Sequence, residues 1–317
     1  MKILVTGADG FIGRHVVAAA GDAGHTVRQL VHRPGASNSF GTDRVVHDLR
    51  QPERLTTSLR DIDVVVHCAA LLDGPADVQH AVTVGGTEHL LAAMDAAGVR
   101  HIVGLSTFAL YDYLRIPAGG TLDERSPLDE TFVDRAPYVR AKRAQEDLIR
   151  EWGRDRRWRF TILRPGLVTG PGREWFHHLG MRLRGNRWIC LAGSGTLPLT
   201  TVTNCAGAIV RTVESEAANG ATLNVVDDHP PTRLDYLQSL AARTRPRPTV
   251  HDIPWGVLWP AAAVATAINH GAFRGRLRLP DVLRSASLHA RCKPLRYSNA
   301  KLKEVLGDTS PGTRRRP

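Results

Sequence analysis

Residues 1–13 read M-K-I-L-V-T-G-A-D-G-F-I-G, and the fold turns on them. An apolar run, Ile3-Leu4-Val5, has the length of a strand, and it leads directly into Gly7, Gly10 and Gly13. The residues that follow, to about residue 20, are spaced as a helix. Glycines between a strand and a helix let the backbone turn tightly and approach a pyrophosphate, whose charge the helix N-terminal amides then hold. The spacing is G-x-x-G-x-x-G, a weak pattern taken alone, since a plain structural turn produces it too. Its context strengthens it.

Outward from that turn, strands and helices alternate. Strands are expected over residues 26–31, 44–47 and 63–67, the last a β-branched run suited to burial on both faces. A helix over 86–97 leads to a strand over 100–106; a helix over 138–152 leads to a strand over 159–163. Such alternation predicts an α/β fold: a doubly wound parallel Rossmann sheet with a smaller C-terminal substrate lobe. The boundaries expected are 1–168 for the dinucleotide-binding domain, with 200–227 returning to it as one more strand near 221–226. The lobe takes 169–199 and 228–308, where the pattern is irregular, and 309–317 reads as a disordered tail.

Two further strand ends carry chemistry. Residues 27–34 read V-R-Q-L-V-H-R-P, so Val31 stands near the position where an acid would bind ribose hydroxyls and repel a 2′-phosphate. His32 and Arg33 follow it, and cations without an acid favour NADP(H) over NAD(H); two exposed loop residues are the plainer reading. Asp48 and Leu49, after the third strand, are placed to edge the adenine, although Asp48 also suits a turn or helix cap. Tyr138 and Lys142 lie four residues apart on one helix and so on one face. A cation near a phenol favours phenolate, as proton exchange with an alcohol or ketone requires. Ser106 and Thr107 bring hydroxyls to the C-terminal edge of the sheet, where open α/β sheets bind ligands.

Five motifs now stand in a fixed order: G-x-x-G-x-x-G, D-V-V-V-H-C-A-A at 63–70, S-T-F-A-L-Y at 106–111, Y-V-R-A-K at 138–142, and L-R-P-G-L-V-T-G-P-G at 163–172. L-N-V-V-D-D at 223–228 and the stretch at 293–307 continue the series. The chain resembles the extended short-chain dehydrogenases/reductases, that is, the NAD-dependent epimerase/dehydratase family with its 3β-hydroxysteroid-dehydrogenase-like branch. The resemblance implies that Tyr138 is the general acid/base and that Lys142 binds nicotinamide ribose while lowering the phenol's pKa. It implies that Thr107 holds the substrate oxygen, with Ser106 as the fallback. The cofactor would be cradled by Gly7, Gly10, Phe11, Ile12 and Gly13. Ala69 and Ala70 would line it, and Pro165, Gly166 and Val168 would back the nicotinamide.

The sequence departs from the family in three places. Thr83 stands where the family's helix often has Asn, which puts a relay through that amide in doubt. Asp112 replaces the usual Gly after Tyr111. The stretch at 193–206 offers Leu197-Pro198 where nucleotide-sugar enzymes often carry a diphosphate-binding arginine. The reading is therefore an oxidoreductase moving hydride between nicotinamide and a secondary alcohol or ketone. The alternatives are a nucleotide-sugar epimerase, dehydratase or reductase with retained cofactor and, from another class, a non-catalytic cofactor-sensing binder. A sensor would be expected to lose the Tyr/Lys pair, and this chain keeps both.

Charge and cysteines bound the rest. The 317 residues carry 42 Lys+Arg against 31 Asp+Glu, formally +11, and only Lys2, Lys142, Lys293, Lys301 and Lys303 are lysines. Residues 140–187 hold 13 basic and 5 acidic side chains, and residues 271–317 hold 12 and 3. Charge gathered around the catalytic helix and the substrate half suits an anionic substrate better than nucleic acid. Cys68, Cys190, Cys205 and Cys292 lack paired spacing, so reduced thiols in a cytoplasmic protein are expected. His177-His178 has no further ligand at convincing spacing, and no metal is expected. The apolar stretch 253–268 is short for a membrane span and contains Pro254 and Pro260. It reads as a buried or interfacial helix rather than a stable anchor, while Arg274, Arg276 and Arg278 just beyond it keep a peripheral membrane contact as the lesser alternative. A homodimer is expected, as in relatives.

Overall fold

The first strand, β1 (Lys2–Thr6), buries Ile3, Leu4 and Val5 in succession, as a strand covered on both faces must. A computed structural model describes residues 1–34, 43–130, 137–176, 178–274, 276, 279–280 and 283–307. His177, Arg278 and the 309–317 tail lie outside the described residues.

From β1 the chain passes through α1 (Gly13–Asp22), β2 (Thr26–Val31), β3 (Arg44–Val46), α2 (Leu55–Ser58) and β4 (Val64–His67). Helices α3 (Ala76–His80) and α4 (Gly86–Ala97) are joined by a π-turn over Ala81–Gly85 and lead to β5 (His101–Leu105). Then come β6 (Thr121–Leu122), α5 (Pro137–Asp155), β7 (Arg159–Pro165) and β8 (Leu167–Thr169). The second half runs β9 (Gly180–Leu183), β10 (Arg187–Leu191), β11 (Leu199–Thr201), α6 (Val202–Glu214) and β12 (Thr222–Val225). It ends with α7 (Arg233–Arg243), β13 (Thr249–Ile253), α8 (Trp255–Phe273), α9 (Ser285–Cys292), β14 (Arg296–Tyr297) and α10 (Ala300–Leu306).

Seven parallel strands form the central sheet in the order β3-β2-β1-β4-β5-β7-β12. The strand order reverses direction between β1 and β4, so a crevice opens there above the C-terminal strand ends. Alternate residues of the strands face opposite layers. Ile3, Val5, Val64 and Val66 pack with Val16, Val17 and Ala20 of α1 and Ile209 and Val213 of α6. Leu4, Val65 and Ile102 pack with Leu90, Leu91 and Met94 of α4 and Ile149 of α5. This is the doubly wound Rossmann sheet that the alternation implied.

The region after Pro165 is more regular than its sequence suggests. β10 pairs parallel with β13 and antiparallel with β9 in a separate three-stranded sheet. The strands are hard to see in sequence because β9 exposes Met181, Arg182 and Leu183, so no apolar alternation marks it. Trp188, Cys190, Leu237 and Leu240 make a second core, with Trp175 edge-on to Trp188 at 5.1 Å. The four cysteines are unpaired with one another. Among the described residues no helix is long and apolar enough to cross a membrane.

Candidate functional site

The glycine turn fits a dinucleotide on backbone grounds. Gly7 adopts φ +63°, and a Cβ there would meet the Ala69 backbone at 3.0 Å. At Gly13 a Cβ would come within 2.1 Å of Gly7 O, so the turn closes only if that residue is glycine. Among the described residues no side chain caps the start of α1 and no acid stands in its first turn, so nothing offsets the positive end of its dipole beside the glycine turn. Phe11 and Ile12 lie in the turn itself. The Phe11 ring carries two guanidinium groups, Arg14 at 5.4 Å and Arg173 at 5.1 Å. Together they add positive charge where a pyrophosphate would sit.

Around the turn, the other expected residues converge. Ala69 and Ala70 extend from β4, half-buried, with the Ala69 N–H donating to Thr6 Oγ1 at 3.2 Å. Pro165 ends β7, and Gly166 lies so close to Pro198 that a Cβ would fall 2.0 Å from its carbonyl oxygen. Val168 packs on the sheet core, and a Cβ at Gly170 would lie 3.2 Å from Phe11. At the end of β2, Val31 is buried while His32 and Arg33 are exposed. The Asp48 carboxylate is held by Arg50 Nη2 at 2.6 Å and by His32 Nε2 at 3.2 Å. It also accepts from the Arg50 backbone N–H at 3.0 Å, which makes it a turn cap. Hydrogen bonds from Arg50 keep the Asp48 carboxyl well below the usual carboxylate range. Leu49 is buried against Gly86.

Three side chains meet at the sheet edge. Tyr138 and Lys142 occupy successive turns of α5, and the Thr107 hydroxyl stands near enough to the Tyr138 phenol to lower its pKa. Thr107 also accepts from the Ala109 N–H at 3.2 Å, which fixes its rotamer. Ser106 is turned away: its hydroxyl donates to Glu146 Oε2 at 2.6 Å, in a buried position. Burial raises the Tyr138 pKa, while Thr107 and the Arg173 charge lower it. The cation acting on the phenol is therefore Arg173. Lys142 Nζ instead donates to Leu105 O and Gln145 Oε1, and burial depresses its pKa to about 8.

Behind Lys142 lies a polar network absent from the sequence reading. Gln145 Nε2 is 2.9 Å from both His67 Nε2 and Thr87 Oγ1, and His67 Nδ1 is 2.7 Å from Thr6 Oγ1. Burial, with the Lys142 charge, lowers the His67 pKa to about 3, so the imidazole is neutral. Thr87 donates to Thr83 O at 2.5 Å, and Thr83 Oγ1 accepts from the Leu71 N–H at 3.1 Å. Thr83, the substitute for the family's Asn, is thus engaged in holding the π-turn to the loop after β4. A second buried cluster fixes α5 to the sheet. Glu146 accepts from Arg164 at 2.5 Å and Arg150 at 2.8 Å, and Arg164 donates to Tyr111, whose hydroxyl donates to Asn224 at 2.7 Å. The one sequence signal for this was a charged residue inside each of two otherwise buried stretches.

Comparison with known proteins agrees with this geometry. The model of the NAD dependent epimerase/dehydratase family matches residues 3–225. The chain belongs to that family. It is an enzyme of the extended short-chain dehydrogenase/reductase type, a class of oxidoreductases and epimerases. A 3-diazoavenalumate denitrifying reductase of Streptomyces sp is 33% identical over 80% of this chain and 84% of its own. A 2-alkyl-3-oxoalkanoate reductase of Stenotrophomonas maltophilia (strain K279a) is 30% identical over 70% of this chain and 68% of its own. Among solved structures, a short-chain dehydrogenase/reductase superfamily protein from Agrobacterium tumefaciens with bound NAD superposes with TM-score 0.72. It is 23% identical, covering 97% of this chain and 92% of that one.

Proposed function

We propose that this family member is an NADP(H)-preferring oxidoreductase that interconverts a secondary alcohol and a ketone. The observation that carries the reading is the placing of Tyr138 and Lys142 on successive turns of α5, with the Thr107 hydroxyl beside the Tyr138 phenol. A nicotinamide cofactor, held by the glycine turn and by Ala69, Ala70, Pro165, Gly166 and Val168, supplies or accepts hydride when bound. Tyr138 exchanges the proton at the substrate oxygen. Thr107 donates a hydrogen bond to that oxygen as negative charge develops on it, where a fixed donor is most effective. Lys142 binds the nicotinamide ribose.

The preference for NADP(H) rests on the end of β2. Val31 supplies no acid there, and His32, Arg33 and Arg50 surround the single carboxylate of Asp48. A 2′-phosphate meets net positive charge at this place. Substrate contacts come from the lobe of residues 169–199 and 228–308, and Arg173, exposed at the crevice, favours an anionic substrate. The name of the relative from Stenotrophomonas maltophilia describes reduction of an oxoalkanoate, a ketone bearing a carboxylate, which supports a ketone substrate that is an anion.

The test is Tyr138→Phe. NADPH should still bind in a fluorescence titration while ketone-dependent NADPH oxidation is lost. Retained turnover would overturn the mechanism.

A further inference from the structure

Helix α8 is apolar on both faces, but among the described residues only one face is covered. Trp255, Leu258 and Ala262 pack inward with Leu191, Leu288 and Cys292. Val257, Ala261, Val264 and Ile268 follow one another at helical spacing along the opposite side, all exposed. Val264 is 58% and Ile268 53% exposed, and Trp259 and Phe273, on the other flank of the helix, are also exposed. From Trp255 to Phe273 there is no Asp, Glu, Lys or Arg. A water-facing helix side normally carries charge, and an all-apolar helix is normally buried.

The charge distribution beside the helix identifies the occupant. Arg274 and Arg276, both exposed, follow its C-terminus. Over residues 253–303 the sequence holds nine basic side chains and one acid, Asp281. Of the nine, Lys293 turns inward to Tyr113 O, Lys303 pairs with Asp228, and Arg284 and Arg291 are also engaged. An apolar helix side followed by Arg274 and Arg276, which pair with no acid among the described residues, suits a surface that is apolar beneath and anionic at its rim. We propose that the outer side of α8 lies in the interface of an anionic lipid bilayer, parallel to its plane, with Arg274 and Arg276 at the headgroups. This goes beyond the redox reading and does not depend on it.

The experiment is co-sedimentation of the full chain with vesicles of equimolar phosphatidylglycerol and phosphatidylcholine, against vesicles of phosphatidylcholine alone. The wild type should sediment with the anionic vesicles at least about tenfold more strongly, and added salt should weaken it. The double variant Val264→Glu/Ile268→Glu should stay in the supernatant while keeping its circular dichroism spectrum and NADPH binding. Arg276→Glu should lose part of the binding. Wild type that ignores anionic vesicles, or a double variant that sediments like wild type, overturns the proposal. A wild-type dimer that the double variant converts to monomer in light scattering also overturns it, because a second copy then covers the helix.

Discussion

Gln145 ties Lys142 to His67: its carbonyl oxygen accepts from Lys142 Nζ, and its amide nitrogen stands 2.9 Å from His67 Nε2. The Lys142 ammonium can only donate, so it takes the Gln145 oxygen and turns the amide NH2 toward His67, whose neutral imidazole can accept at Nε2. One side chain therefore sets where the Lys142 charge sits along α5. Replacing it with Met, similar in length but with no hydrogen bonds, should leave a folded protein with kcat lowered about tenfold to a hundredfold, since small displacements of catalytic groups carry that effect. Gln145→Glu should instead raise the Lys142 pKa from its value of about 8 by adding an anion beside it. The alkaline inflection of the pH–rate profile would move upward. Unchanged rate and profile in both variants would remove Gln145 from the machinery.

Glu146 and Arg164 hold the same helix by charge. Burial alone raises a carboxyl's pKa, but here the hydrogen bonds and charge of Arg164, with Ser106 and Arg150, outweigh it and bring Glu146 down to about 2. A depressed folded-state value means stability present above the ordinary carboxylate range and lost as pH falls toward 2. Urea titrations of wild type should therefore show a decline between about pH 5 and pH 3 that Glu146→Gln lacks. At neutral pH the variant should be less stable by about 3 kcal/mol, as expected when one partner of a buried pair is removed. Equal stability at both pH values would contradict this account.

These two relationships also mark what the sequence can and cannot reveal. The sheet was legible because Ile3-Leu4-Val5, Val64-Val65-Val66 and Ile102-Val103 are uninterrupted apolar runs, and burial on both faces leaves no other pattern. Thr107, Tyr138 and Lys142 were legible because one helix and one strand end place them, and local spacing fixes both. Gln145, three residues past Lys142, looks like an ordinary helix-surface residue; only the packing of α5 on β4 turns it toward His67. Arg173 is one of many arginines, and nothing local shows that its loop folds back over Phe11. Arg233 is the same case: fully buried at the start of α7, it donates to Ala192 O and Arg291 O, far apart in sequence. Periodicity finds elements; it does not find contacts between distant loops.

Cofactor choice can be tested without touching the reaction. Arg33→Ala should weaken NADPH binding about tenfold and leave NADH binding unchanged, because only the 2′-phosphate meets that charge. Arg50→Ala acts indirectly by releasing the Asp48 carboxylate from its strongest partner. A freed carboxylate repels the phosphate and accepts from ribose hydroxyls, so the ratio of NADPH to NADH affinity should fall in this variant too. Isothermal titration with both cofactors gives the ratio directly. Parallel losses for NADPH and NADH would place the preference elsewhere.

Arg173 connects the phosphate turn to the proton chemistry. It stacks over Phe11 and at the same time lowers the Tyr138 pKa, which burial would otherwise raise without opposition except from Thr107. Alcohol oxidation needs the phenolate, so its rate rises with pH through the Tyr138 pKa. Ketone reduction needs the phenol and is insensitive to that pKa at neutral pH. Arg173→Ala should therefore move the oxidation limb to higher pH, because a charge that lowers the phenol's pKa is removed. Reduction at neutral pH should keep its kcat, and any rise in KM there would report a lost contact with an anionic substrate. Arg173→Lys should restore the limb, since the charge is retained, although a lysine stacks less well on Phe11. An oxidation profile that does not move in Arg173→Ala would mean that Thr107 and burial alone set the phenol's acidity.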